Sequence, residues 1–414
     1  MMLRVVPRCI PILLAALAAV ACTEESRPIV ATKHRTPAPH PSADLVVTAI
    51  RVPFSGASVE PNIAADRNGG FVVSWIEKAT SSFSFAPYRD GNWFQPRMIT
   101  HGRLLVNKAD FPSIAVAPEG TLYAQWIETK GEATSIRVAQ STDNGATWSA
   151  PLRPHADVAS EFGFASLLPA HDRSAHVIWI DGAKAAQQTA SDAENELHAA
   201  TIDAAGKLSA AVTLDPRVCD CCQTAAAMTD DGPVVAYRDR SADEVRDIQV
   251  VRLTLEGWTQ PKTLHADGWK IAACPVNGPQ LDANGKNVVA AWFTDAGNHA
   301  RVNVAFSRDS GANFGAPTVV DDGKPLGHVD VALLDDGSAI VTWLEQSGDK
   351  TRIEARRIGN DGTRGNATIV AETTSSAAVG FPRLAVSKQN VAVVWNGGGT
   401  EPSIRMATIR TSTK

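Results

Sequence analysis

Seven segments of the chain repeat one pattern, and that repetition limits the possible fold more than any composition value does. Each has a short apolar run, a polar turn and a β-rich run that closes on an aromatic residue. The segments are "PNIAADRNGGFVVSWIE" (61–77), "PSIAVAPEGTLYAQWIE" (112–128), "FASLLPAHDRSAHVIWID" (164–181), "QTAAAMTDDGPVVAYRD" (223–239), "PQLDANGKNVVAAWFTD" (279–295), "VDVALLDDGSAIVTWLE" (329–345) and "PRLAVSKQNVAVVWNG" (382–397). Their closing aromatics are Trp75, Trp126, Trp179, Tyr237, Trp292, Trp343 and Trp395. Each segment reads as two strands joined by a hairpin, because Gly, Asn or Asp sits at most of the turns. A third run ("SIRVAQS", "VNVAFS") and a fourth ("PTVVDD") follow in most repeats. A four-stranded unit about every fifty residues suits a propeller blade better than a sandwich. The expected fold is therefore an all-β propeller of four-stranded blades. Seven blades are favoured, and six is the alternative because the third and fourth repeats are irregular. The last repeat stops after its third strand, "SIRMATI", while "DLVVTAI" (44–50) has no partner at the other end. Pairing the two closes the ring and removes an open sheet edge.

Ahead of the repeats lies a different kind of sequence. Arg4 and Arg8 precede the apolar run "CIPILLAALAAVA", which is too short for an ordinary spanning helix and reads as a signal peptide over residues 1–21. The stretch "AAVAC", ending at Cys22, resembles a bacterial lipobox. That resemblance implies cleavage before Cys22, lipidation of Cys22, and an outer-membrane address. Residues 22–44 are rich in Pro, Thr, Ser and charge and read as a tether. The propeller then occupies 45–414. A formal net charge of -5 gives no electrostatic reason to propose nucleic acid as a partner.

Two short stretches add a second repeat. "STDNGATW" aligns with "SRDSGANF", matching Ser141 to Ser307, Asp143 to Asp309, Gly145 to Gly311 and Trp148 to Phe314. The carboxylates can accept backbone N–H bonds within a turn, and the glycines can take positive φ. This pattern resembles the Asp-box, or BNR repeat, of the sialidase-like propellers. The resemblance implies that these eight residues are structural and sit on turns away from the ligand face. It also raises the question of sialidase activity. That family uses an arginine triad and a tyrosine nucleophile, yet this chain has only Tyr88, Tyr123 and Tyr237, none in the last repeats. The family's Arg-Ile-Pro signature has a loose echo at Arg51 and Pro53. The catalytic set does not carry over, and no catalytic residue is assigned.

Candidate chemistry falls in the loops of one face. Just before the inner strands lie Glu60, Asp110, Glu161, Cys221, Cys222, Cys274, His328 and Arg383. Just after the second strands lie Glu77, Glu128, Asp181, Arg238, Asp239, Arg240, Asp295 and Glu345. The densest group is the fourth repeat's "YRDRSADEVRDI", where Arg238, Arg240 and Arg246 neighbour Asp239, Glu244 and Asp247. Such arginines either grip an anionic ligand in bidentate fashion or pin a long loop internally. With His328 and Arg383 they form the candidate ligand-binding set. Cys219, Cys221, Cys222 and Cys274 are expected to form two disulfides in an oxidising compartment. The alternative is a copper or zinc site completed by His265 or His328. Otherwise no cofactor is expected.

These readings describe a monomeric cell-envelope lipoprotein, membrane-bound through its lipid only, whose channel face binds a glycan or an envelope protein. The alternatives are an exo-α-sialidase or other carbohydrate-active hydrolase or lyase, and a copper- or zinc-binding envelope protein.

Overall fold

The computed structural model describes residues 45–54, 56–189, 193–373, 379–397 and 403–411, all within one compact unit, Ser42–Lys414. The signal peptide, Cys22 and the tether lie outside the described residues. Seven antiparallel sheets follow one another along the chain. Their inner strands are Ser58–Ala65, Ser113–Val116, Phe162–Pro169, Ala225–Thr229, Gln280–Asn284, Pro325–Leu333 and Arg383–Ser387. They surround a common central channel, so the fold is a seven-bladed β-propeller and the six-bladed alternative is excluded.

The second strand of each blade is sandwiched between neighbouring blades. Phe71–Glu77 and Ala175–Asp181 are buried almost end to end, which is why they read as continuous apolar runs rather than alternating ones. The seven closing aromatics pack there. Trp75, Trp126, Trp179, Tyr237, Trp292 and Trp343 are at most 2% exposed and Trp395 is 9% exposed. Several indoles are fixed by an acid two residues on. Trp179 Nε1 donates to Asp181 Oδ2 at 2.9 Å, Trp343 Nε1 to Glu345 Oε2 at 2.7 Å and Trp126 Nε1 to Glu128 Oε1 at 3.3 Å. The recurring "W-x-E" and "W-x-D" ends are thus core anchors, and Glu128, Asp181 and Glu345 leave the list of ligand candidates.

The ring closes as the pattern predicts. Leu45–Ile50 pairs antiparallel with Ser403–Thr411, from Leu45 opposite Thr411 to Ile50 opposite Met406. The outer strands are weaker than expected in two blades. In the fifth, only Thr318–Val319 pairs; in the second, the fourth run contributes the single bridge Val138–Leu152. Both runs follow a box and open with Pro151 or Pro317, which has no N–H to give the ladder.

The boxes are self-contained turns. Ser141 Oγ donates to Asp143 Oδ1 at 2.7 Å and accepts Gly145 N–H at 2.8 Å, while Thr147 N–H donates to Asp143 Oδ1 at 2.9 Å. Ser307, Asp309, Gly311 and Asn313 repeat the set. The hydroxyl and N–H of Thr147, with Ser141, hold the Asp143 carboxyl far below its usual range. Gly145 has φ +81°, and a Cβ there would lie 2.3 Å from the Phe85 ring of the preceding blade. The antiparallel order places these third-to-fourth-strand turns at the rim opposite the starts of the inner strands.

Candidate functional site at the channel mouth

A cavity of about 600 Å³ runs down the axis, lined by the inner strands of all seven blades. At its mouth, side chains of one blade hold the backbone of the next. Asp110 Oδ1 accepts Phe164 N–H at 2.9 Å, Gln223 Oε1 accepts Gly278 N–H at 2.9 Å, Asn277 Oδ1 accepts His328 N–H at 2.8 Å and Asn396 Oδ1 accepts Glu60 N–H at 3.1 Å. Glu60, Phe164 and His328 occupy the same position in bulged inner strands, at φ 53°, 52° and 52°. Such backbone is uncommon for non-glycine residues and is kept only where the surroundings impose it. Deeper in the channel, Asp282 Oδ2 accepts Leu333 N–H and Asp330 Oδ2 accepts Leu384 N–H. These two acids are interblade fasteners.

Two more buried carboxylates lie at this end: Asp110, which lines the cavity and is an interblade fastener like Asp282 and Asp330, and Glu60, which does not line it. Asp110, in the loop before the second blade's inner strand, is 7% exposed and burial pushes its carboxyl up to about 7; the Phe164 N–H pulls only partly the other way. Glu60, on the adjacent first blade, is 2% exposed and is also pushed up to about 7 by burial, against the fields of Lys108 and Lys78. Its Oε1 is buried without a hydrogen-bond partner. Burial thus raises both toward neutrality, as it does Asp282, to about 6.

Beside them stands a cationic and aromatic group. Arg383 lies 5.1 Å above the Phe111 ring, and its Nε faces Asp330 Oδ2 at 3.4 Å without forming a hydrogen bond. Its Nη1 is buried with no acceptor. Phe381 lies 6.3 Å from Phe111 and stacks on His328 at 3.9 Å, with the rings within 6° of parallel. His328 Nδ1 pairs with Gly380 O at 2.7 Å, and burial lowers the ring's pKa. In the neutral tautomer that donates to this carbonyl, Nε2 is left as an acceptor.

The fourth-blade corner resolves the other way. Arg238 is 1% exposed and donates to three backbone carbonyls, those of Asn277, Arg246 and Phe293, at 2.6–2.8 Å, with Trp269 stacked on it. Arg240 is engaged by Glu244 and by Ala193 O. Arg246 is engaged by Glu244 and by Cys219 Sγ. Asp247 accepts the N–H groups of Gly268 and Trp269. Asp239 is half-buried, and burial raises it to about 6. None of these five lines the cavity. Of the two sequence readings, the internal network is the one present, because every guanidinium here already has acceptors within the loop. From the candidate ligand set, Arg383 lines the channel and His328 supports its rim. Glu161 is exposed, while Glu77 and Asp295 are partly so; none lines the cavity.

One of the two expected disulfides is present. Cys221–Cys274 joins the loops before the fourth and fifth inner strands, with Cα atoms 6.0 Å apart. Cys219 and Cys222 are free, buried thiols 2.9 Å apart at sulfur. The sulfurs of Cys219, Cys221 and Cys222 all lie within 4.8 Å of one another, which is also the arrangement a soft metal would require. Among the described residues, the groups that could hold a metal here contain neither His265 nor His328.

The tyrosines lie away from the channel. Tyr237 is buried and donates to Asp215 Oδ2 at 2.6 Å, and burial with the Asp215 charge drives its pKa far up. Tyr123 donates to Arg173 O. None of the three lines the channel. Phe111 and Phe381 were missed by sequence reasoning, although a signal existed: "FPS" (111–113) and "FPR" (381–383) both open their repeats with Phe-Pro.

No protein-family model matches the chain, and no curated protein matches it. Solved structures do. The chain is similar to a protein of unknown function from Dyadobacter fermentans, with TM-score 0.52 and 15% identity over 90% of this chain and 99% of the other. It is similar to a PL25 ulvan lyase bound to -[GlcA(1-4)Rha3S]-, with TM-score 0.56 and 12% identity over 86% and 94%. It is also similar to the GH93 α-L-arabinofuranosidase of Fusarium graminearum in complex with arabinobiose, with TM-score 0.50 and 14% identity over 88% and 97%. The class defined is a seven-bladed β-propeller whose fold resembles those of these structures. At these identities the likeness is one of fold.

Proposed function

We propose that this propeller is a carbohydrate-active enzyme, a hydrolase or lyase, acting on a glycan seated at the channel mouth. The observation that carries the reading is the grouping of the buried Asp110 carboxyl with Phe111 and Arg383 on the cavity wall, with a second buried carboxyl, Glu60, on the adjacent blade. Proton transfer to a leaving oxygen, or away from a sugar carbon or a water, needs groups of that kind. Phe111, which lines the cavity beside Arg383, adds aromatic surface for a sugar ring. Arg383, with Nη1 free, suits a carboxylate or sulfate on the glycan. The structural neighbours that act on glycans support the same class. In this reading the sialidase-like resemblance extends to the boxes and the ring, not to the chemistry.

The second reading is a glycan-binding module without turnover, favoured by the aromatic–arginine group, which binds whether or not the acids react. The "AAVAC" stretch assigns either form to the bacterial envelope through lipidated Cys22, and Cys22→Ala is expected to release the protein from membranes. The deciding experiment incubates the protein with neutral, uronate-containing and sulfated polysaccharides. New reducing ends without ultraviolet absorbance indicate hydrolysis; reducing ends with the absorbance of an unsaturated uronide indicate elimination. Binding by calorimetry with neither signal would support the module instead.

A further inference from the structure

We propose that the four cysteines of the fourth and fifth blades form a thiol–disulfide exchange relay that carries redox equivalents between a buried dithiol and the surface. This is independent of the glycan reading. The sulfurs are graded in exposure. Cys219 and Cys222 are 1% and 2% exposed, Cys221 is half-buried, and Cys274 is exposed. They are also in sequence-enforced contact. Cys219 and Cys222 form a C-x-x-C pair whose sulfurs are 2.9 Å apart, and Cys219 Sγ lies 3.7 Å from Cys221 Sγ of the existing disulfide. A free thiol beside a disulfide sulfur is the starting geometry for exchange.

The surroundings favour the attacking form. Cys219 is pulled below its ordinary pKa, first by the hydrogen bond with Cys222 and then by the Cys221 backbone and the charges of Arg238 and Arg246. Arg246 Nη1 lies 3.4 Å from Cys219 Sγ. Burial and the neighbouring Cys219 push Cys222 the other way, so of the two Cys219 is the readier nucleophile, and it is the one that lies beside the disulfide. Depressed thiols of C-x-x-C pairs are the reactive ones. This gives the corner arginines a role that hydrogen bonding to carbonyls alone does not explain.

The steps balance internally. The Cys219 thiolate attacks Cys221 Sγ; the Cys219–Cys221 bond forms, the Cys221–Cys274 bond breaks, and Cys274 leaves as a thiolate at the surface. Cys222 then loses its proton and attacks Cys219 Sγ. The Cys219–Cys222 bond forms and Cys221 departs, taking up that proton. One disulfide and two reduced sulfurs exist before and after, but the reduced pair has moved from the interior to Cys221 and Cys274. There it can exchange with the disulfide of a small molecule or protein.

The test uses the mature protein purified without reductant. A light alkylating reagent is applied to the folded protein. The protein is then denatured, reduced and treated with the heavy form, and each cysteine is read by peptide mass spectrometry. Light label is expected to accumulate on Cys274 and Cys221. In Cys222→Ser, Cys274 should still be labelled while Cys221 is not, because only the first step remains. In Cys219→Ser, labelling at Cys274 should fall about tenfold or more, since the attacking thiolate is gone. If Cys219→Ser does not fold, as judged by circular dichroism, the unsubstituted and Cys222→Ser patterns decide alone. Label confined to Cys219 and Cys222 would overturn the relay. So would two static disulfides with no thiol after denaturation, or four thiols with copper or zinc found by elemental analysis.

Discussion

The fourth-blade corner and the channel mouth are both built from arginines and acids, yet they have opposite characters. At the corner, Arg238 meets three carbonyls and Arg240 and Arg246 share Glu244. At the mouth, Glu60 Oε1 and Arg383 Nη1 are buried with no partner, and Asp110 keeps a pKa near 7. Polar groups in the first region largely complete one another and hold the loop, with Arg246 Nε the exception. Those in the second are held in place by their neighbours but left incomplete, as a site awaiting a ligand should be. The difference teaches that a dense run of charge in sequence marks a place where charges can neutralise each other, whereas a lone buried one is what a partner must complete.

The largest effect that would test this contrast is kinetic. If the mouth is catalytic, Asp110→Asn should lower turnover of an identified glycan by about 10²–10⁴-fold, the range a proton-transfer group contributes. Arg240→Ala should leave turnover within a factor of about three, since it neither lines the channel nor faces bulk ligand. Equal losses from both variants would erase the distinction.

Next comes stability. Removing Arg238 leaves three buried carbonyls without donors, so Arg238→Ala should lower unfolding free energy by about 3–5 kcal/mol in urea titrations, the scale for breaking a buried charged network. Arg383→Ala also removes the cation beside buried Asp330, so its distinguishing effect should be loss of calorimetric binding of an anionic glycan. A reversal of the two outcomes would exchange the roles of corner and mouth.

The pH dependence sharpens the assignment of Asp110. Its ordinary value is 3.8 and burial lifts it to about 7 in the fold, so the folded protein holds this proton more tightly than the unfolded chain. Stability therefore falls as pH rises from about 4 to about 7, and the loss is complete above that window. Asp110→Asn should flatten this slope and be more stable than the parent at pH 8 by on the order of 1–3 kcal/mol. A parent and variant with parallel pH profiles would refute the buried carboxyl. The smallest effect belongs to the opposite rim. Gly145→Ala, forced into positive φ and against Phe85, should cost about 1–3 kcal/mol with ligand binding unchanged.

Most of the fold was legible because its signals are local. The Trp anchors, the hairpin glycines and the unpaired "DLVVTAI" each carry their meaning within a few residues, and together they specify seven blades and the closure. The site was less legible because its chemistry is made by distance. Asp110 and Glu60 were visible among many loop acids, but the desolvation that distinguishes them comes from neighbouring blades. The same holds for Glu345 and Asp181, which look like mouth acids until the indoles they anchor are seen. Arg383 could be listed but not ranked, since Phe111 approaches it from five blades earlier in the chain. The cysteine pairing was half legible. Compartment reasoning favours bonds, whereas the contact among Cys219, Cys221 and Cys222 depends on how a tight loop folds.

The pairing of Leu45–Ile50 with Ser403–Thr411 imposes an order of events during biosynthesis. The first strand to emerge waits for the last, and no closed ring exists until residue 411 has been made. Until then the nascent chain carries an open first edge and an unfinished seventh blade, with a separation between partners that makes closure slow. A chain that cannot close early also cannot lock early, so the ring gains its full rigidity only when synthesis ends.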